Sequence, residues 1–143
     1  MKIKHNYLSE QFKERDNIFK LINKTISFND FTLGKHVENF EKTFCKYQKS
    51  KYSIGVGSGT DAIFLSLKAL GIKEGDEVLC PAHTYCASAY PFLKRGAKIK
   101  WLDIDAKSWL SEEEQVINKI SNKTKAVIFV HLYGTPANVF NLY

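Results

Sequence analysis

Residues 55–63 read Gly55-Val56-Gly57-Ser58-Gly59-Thr60-Asp61-Ala62-Ile63. Three glycines alternate with small residues before Thr60 and Asp61 open an apolar run. Upstream, residues 52–56 are β-rich and predict a strand. Downstream, residues 61–70 predict a helix with Ile63, Leu67 and Leu70 on one face and Gly71 as its stop. A glycine stretch at such a junction has two readings. Gly57 and Gly59 allow positive φ and a close backbone approach, Ser58 or Thr60 can cap the helix, and the helix N-terminus is then a seat for an anion. An ordinary turn with a plain N-cap uses the same residues, and the local pattern leaves both open.

Working outward, short β-rich runs alternate with helical ones. Residues 77–80 predict a strand ended by Pro81. Residues 85–95 predict a helix stopped by Gly96 and kinked or shortened by Pro91. Residues 99–104 predict the next strand. Ser111 and Glu114 form a capping box for a helix with Val116, Ile117 and Ile120 on its apolar face. Residues 126–130, Ala-Val-Ile-Phe-Val, form a continuous apolar run of the kind buried on both faces. This alternation predicts an α/β architecture with a mostly parallel sheet flanked by helices. Two N-terminal helices precede it. Leu8, Phe12, Phe19, Ile22 and Ile26 mark the first. Val37, Phe40, Phe44 and Tyr47 place four large side chains on one face of the second, expected to pack on a body.

Composition is that of a globular chain: 143 residues, 44% hydrophobic and 25% charged. No apolar run approaches the roughly 18 residues a membrane span needs. The polar start, residues 1–6, has no apolar core of a signal peptide. The expectation is a soluble cytoplasmic protein with no membrane partner. The net charge of +6 is spread among scattered lysines, which reads as a solvated basic surface and not a nucleic-acid interface. It also suits a phosphorylated or nucleotide-linked small ligand. Cys45, Cys80 and Cys86 form no CxxC pair, and His5, His36, His83 and His131 no metal-ligand spacing. Asp103 and Asp105 read as a strand end and the cap of the next turn, so no metal site is expected.

Two nucleotide fingerprints compete for the glycine stretch. Residues 57–62 match GxGxxA, a dinucleotide-binding variant. That fold wants an acidic residue about 20 positions on, at the end of the second strand, but here that strand ends in Cys80 and Pro81, with Asp76 and Glu77 at its start. A Walker A loop is excluded because no GK[ST] follows.

The segment GVGSGTDAIFLSLKALGIKEGDEVLCPAHTYCASAYPFLKRGAKIKWLDID, with LGKHVENFEKTFCKYQKSKYSIGV before it and KAVIFVHLYGTPA near the end, resembles the DegT/DnrJ/EryC1/StrS sugar aminotransferases. These are pyridoxal-phosphate enzymes of the aspartate-aminotransferase fold type. The resemblance covers nearly the whole chain. It implies an N-terminal helical lead-in over residues 1–50 and an incomplete cofactor-binding α/β large domain over residues 51–143. It implies that Gly59 and Thr60, with Ser58 and Asp61 beside them, receive the phosphate of pyridoxal 5'-phosphate through backbone N–H groups and a hydroxyl. It places Tyr85 on the face of the pyridine ring. Elementary physics agrees with both roles, since a dianion is favoured at a helix N-terminus and a flat ring gains from stacking.

The family's Schiff-base lysine and the carboxylate that pairs with the pyridine nitrogen lie beyond the matched segment. None of the lysines here, Lys123 and Lys125 included, stands at the matching position, and His131 and Tyr133, which match a family HLYG segment, receive no chemistry. The expectation is therefore an N-terminal fragment, inactive alone, of an enzyme that moves an amino group from an amino donor to a nucleotide-linked keto-sugar, usually as a homodimer. Relatives that replace the lysine and dehydrate the sugar remain an alternative, as does a non-catalytic phosphate-binding or interaction module. A nicotinamide-binding Rossmann unit is more remote. In this fold type the strand at residues 52–56 lies across the sheet from the next two, so its backbone groups are expected to lack their neighbour, at ~1–3 kcal/mol for each buried bond unmade.

Overall fold

A computed structural model of the protein describes residues 6–139. His5 and residues 140–143 lie outside the described range. The chain divides into two compact units, Met1–Gly55 and Val56–Tyr143.

The first unit holds α1 (Leu8–Gln11), α2 (Arg15–Ser27) and α3 (Lys35–Gln48). Gly34 precedes α3 because a Cβ there would overlap the Asp30 carboxylate. That carboxylate instead accepts the N–H of Lys35, the first residue of α3, at 3.1 Å. The apolar face of α3 forms where its spacing predicts, but it is not covered within this unit. Phe40, Phe44 and Tyr47 are exposed and pack on one another, with ring centroids 5.7 and 6.4 Å apart. Two helices and a short third offer no second layer to bury this face.

Residues 52–56 depart from expectation. They form no strand and pair with none among the described residues; the missing neighbour is the one the resemblance leads one to expect. Their hydrogen bonds go to side chains: Gly55 N–H donates to Glu41 Oε1 at 2.6 Å, and Ser50 Oγ donates to the Tyr52 carbonyl. A strand exists only through its neighbour, and without one Ile54 stays 80% exposed.

The second unit contains α4 (Gly59–Ala69), β1 (Glu77–Pro81), α5 (Tyr90–Leu93), β2 (Lys98–Leu102), α6 (Glu113–Lys119) and β3 (Thr124–Val127). The strands form one parallel sheet, ordered β2-β1-β3. Val78 pairs with Ile99 on one side and Ala126 on the other. Central β1 is fully buried at Val78, Leu79 and Cys80, as a strand covered on both faces must be. On one face Val78 packs with Leu67, Ile72, Phe92 and Ala97. On the other Leu79 packs with Leu102 and Val116.

Three further expectations are corrected. The apolar run at residues 126–130 is only half-buried, because β3 is an edge strand and one flank has no neighbour among the described residues. The helix at residues 85–95 is broken into a 3-10 turn, Cys86–Ser88, and short α5. Pro91 is accommodated in the first turn of α5, where no intrahelical N–H is required. The capping box at Ser111 does not form. Ser111 is buried and its hydroxyl donates to the Asp103 carbonyl at 2.9 Å, so α6 starts one residue later than the capping box implies, behind Glu112, which makes no side-chain cap. Tertiary burial takes the hydroxyl that the local pattern assigns to a helix end. Ile117 and Ile120 are correspondingly exposed, and only Val116 of that face is buried.

Candidate functional site

A parallel sheet gathers its loops at the carboxyl ends of the strands, the usual place for a ligand. The short link from α4 to β1 makes α4 run back against the strands, so its N-terminus lies at that edge. Ser58 is the N-cap in extended backbone, φ −161° and ψ 165°. Its Oγ accepts the Asp61 N–H at 3.1 Å and donates to Asp61 Oδ2 at 2.9 Å. The first helical bond runs from Ala62 N–H to the Ser58 carbonyl at 3.0 Å.

This closure has a consequence for the N–H groups of the first turn. Asp61 N–H is used by the cap. Those of Gly59 and Thr60 have no acceptor among the described residues, as the first turn of a helix dictates. The Ser58 and Asp61 side chains are engaged with each other, which leaves the Thr60 hydroxyl as the further donor beside them. Neither Gly57 nor Gly59 uses the positive φ open to it. Gly57 serves by closeness, since a Cβ there would stand 3.1 Å from Asp61 Oδ2. Gly59 serves by openness, since a Cβ there would meet nothing within 4 Å. Two unpaired N–H groups at the positive end of a helix, with no side chain crowding Gly59, fit a phosphate.

Tyr85 follows β1 at the same edge. It is 76% exposed and has φ −68° and ψ 141°. The turn after it is held by a 2.8 Å hydrogen bond between the Thr84 and Ser88 hydroxyls, and that turn packs against α4. The fold thus brings Tyr85 and the start of α4 to one edge, with no hydrogen bond between them. An exposed tyrosine ring there fits a flat aromatic ligand.

Asp103 and Asp105 act in turns, as their spacing predicts. Asp103 Oδ1 accepts Ile104 N–H at 2.8 Å. Asp105 Oδ1 accepts the N–H groups of Ser108 and Lys107 at 2.7 and 3.0 Å. These bonds, that of Ser108 first, hold the Asp105 carboxyl below its ordinary range. Among the described residues no group of three potential ligands could hold a metal ion, and no helix is long and apolar enough to cross a membrane.

Two features escape the sequence patterns. His83, beyond the end of β1, lies 5.5 Å ring to ring from Trp109, which stands in a left-handed backbone with φ 64°. His131, beyond the end of β3, accepts the Ala137 N–H on Nδ1 at 2.9 Å. It lines an open groove of about 560 Å³ with Ala62 and Ile63 of α4. The strand-end rule, applied once the strands are known, picks out both residues and gives His131, already matched within an HLYG segment, a place at the site's edge.

Comparison with known proteins adds to this geometry. Residues 13–142 match the sequence profile of the DegT/DnrJ/EryC1/StrS aminotransferase family. The chain is 41% identical over 106 residues to GDP-perosamine synthase of Escherichia coli O157:H7, covering 74% of this chain and 29% of that protein. The X-ray structure of S. venezuelae DesV superposes with a TM-score of 0.88 at 34% identity, covering 95% of this chain and 37% of that one. E. coli GDP-4-keto-6-deoxy-D-mannose-3-dehydratase, solved with bound hydrated PLP, gives a TM-score of 0.79 at 32% identity, covering 86% of this chain and 33% of that one. The chain spans about a third of the length of the curated relatives it matches.

Proposed function

This chain belongs to the DegT/DnrJ/EryC1/StrS aminotransferase family, and on that premise we propose that it carries the phosphate seat and one ring face of a pyridoxal 5'-phosphate site. The observation behind this reading is the pair of unpaired N–H groups, Gly59 and Thr60, at the start of α4, where Gly59 has no neighbouring atom crowding it. These two groups and the Thr60 hydroxyl bind the phosphate. Each charge-assisted bond contributes about 1.5–3 kcal/mol. Ser58 and Asp61 fix the first turn so that the donors converge. Tyr85 covers one face of the pyridine ring and excludes water from it. The bound cofactor supplies an electron sink for chemistry at the amino carbon.

The reaction we assign to the whole protein is amino transfer to a nucleotide-linked keto-sugar, the GDP-linked relative being one support. The catalytic lysine and the carboxylate for the pyridine nitrogen belong, in this reading, to sequence outside the 143 residues, and these residues alone do not transaminate. Residues 1–50 serve as the helical lead-in and residues 51–143 as part of the large domain. The working assembly is a cytoplasmic homodimer. A dehydrating enzyme is the second reading, favoured by the likeness to the E. coli 3-dehydratase.

Pyridoxamine 5'-phosphate tests the site, because it cannot react with surface lysines. Its fluorescence on titration with the chain gives saturable binding, and pyridoxamine without the phosphate binds at least about tenfold more weakly. Tyr85→Ala weakens both ligands. Equal binding with and without the phosphate, or binding indifferent to both Thr60→Val and Tyr85→Ala, overturns the assignment.

A further inference from the structure

The tight turn after β3 fixes the tautomer of a histidine. Pairing continues past Val127 through Ile128 N–H to the Leu79 carbonyl at 2.9 Å, and the chain then leaves the sheet toward His131. It reverses at once. Gly134 N–H donates to the His131 carbonyl and Thr135 N–H to that of Leu132, at 3.1 and 3.0 Å. Tyr133 and Gly134 both take positive φ, 53° and 83°. For tyrosine this conformation is unfavourable, and it is held here by the paired bonds around it. The reversal returns Ala137, which is buried, so that its N–H donates to His131 Nδ1 at 2.9 Å. A ring nitrogen that accepts a hydrogen bond holds a lone pair. The neutral imidazole therefore carries its proton on Nε2. Its outer nitrogen is a fixed donor.

The position of that donor matters. His131 is exposed and shares its groove with Ala62 and Ile63 of the first turns of α4 and with Ser88 of the turn that follows Tyr85. The groove runs between α4 and the end of β3, and its near end, Ala62, adjoins Asp61 of the candidate seat. We propose that His131 is a positioning residue, held by the Ala137 N–H as the Nε2–H tautomer, which donates from Nε2 to an oxygen of the ligand seated at the start of α4. The proposal rests on the cofactor reading above and adds a residue to it. It also explains why a left-handed tyrosine is retained in the turn: the reversal is what brings Ala137 N–H under the ring.

Two substitutions separate the inner from the outer nitrogen. His131→Asn keeps an acceptor at the δ position for Ala137 but has no outer donor. His131→Gln keeps an amide near the outer position but offers Ala137 nothing. With pyridoxamine 5'-phosphate as probe, His131→Asn retains the melting temperature of the wild-type chain and binds about tenfold more weakly. His131→Gln melts lower and keeps most of the affinity. Nitrogen-15 NMR of the histidine ring gives a readout independent of any ligand, and the Nε2–H tautomer is the result expected for His131. An Nδ1–H tautomer, or His131→Asn binding as tightly as wild type, overturns the proposal. A wild-type chain that binds no pyridoxamine phosphate overturns the cofactor reading itself, and the ligand role of His131 falls with it. Tight binding that responds to Thr60→Val but not to His131→Asn removes His131 alone.

Discussion

Substituting Gly59 by alanine sets stability against binding at one atom. Gly59 is the first residue of α4, behind the Ser58 cap, and its φ is not in the left-handed region. An alanine takes this backbone without strain, and its Cβ meets nothing within 4 Å. The unfolded chain loses freedom and the folded chain loses nothing, which stabilises the second unit by about 0.4–1 kcal/mol. For a unit of this size that raises the melting temperature by roughly 2–8 °C. The same methyl adds bulk on the residue whose N–H, in the proposed function, meets the phosphate. A phosphate held off those donors loses at least one charge-assisted bond, so pyridoxamine 5'-phosphate binds at least about tenfold more weakly. Thermal melting followed by circular dichroism and a fluorescence titration measure the two effects on one sample. A variant with higher stability and unchanged affinity refutes the placement of the phosphate over Gly59. One with lower stability refutes the claim that Gly59 is conformationally ordinary.

Two further expectations concern the frame of the site. The Glu77 carboxylate takes Lys100 Nζ at 2.8 Å and Ser121 Oγ at 2.5 Å. Those bonds, Lys100 first, hold it below the ordinary value of 4.5. The stabilisation is therefore present above about pH 4.5 and is lost as the pH falls through the lower folded value. The melting temperature should drop on that acid side, and Glu77→Gln should lower it at neutral pH and flatten the acid arm; an unchanged acid arm contradicts the linkage. Burial pushes the Cys80 thiol up to about 11, while Cys86 is exposed and Cys45 half-buried. A thiolate-trapping reagent should label Cys86 first and Cys45 next, with Cys80 reached only on unfolding, and equal rates for the three in the native protein contradict the buried placement of β1.

Much of the framework was legible because it is local. The α4 start is written in Ser58 and the glycines around it, since a cap needs only its own first turn. Gly71 and Gly96 mark stops where the chain must take positive φ, and both do, at 70° and 73°. The parallel α/β alternation follows from runs whose burial demand is carried by their own side chains. Ser58, Gly59, Thr60, Asp61 and Tyr85 were named from a resemblance and not from spacing, and the fold sets them on elements that meet at one edge.

What the sequence by itself determined, then, is where helices and strands want to be and which residues want to leave water. What only the tertiary structure decided is who answers. The strand-like residues 52–56 and the apolar run at 126–130 have strong β patterns, yet one stays unpaired and the other stands at an edge, because a strand is completed by distant backbone that no local pattern contains. Ser111 is a good helix cap by pattern and is instead drawn to the Asp103 carbonyl eight residues away. His131 was legible as part of an HLYG match but carried no sign of its role. Its proton is placed by Ala137 N–H across a turn, and that pairing exists only once the chain has reversed. Local chemistry encodes preference; hydrogen-bond partners and neighbouring surfaces, supplied by the fold, convert it into position.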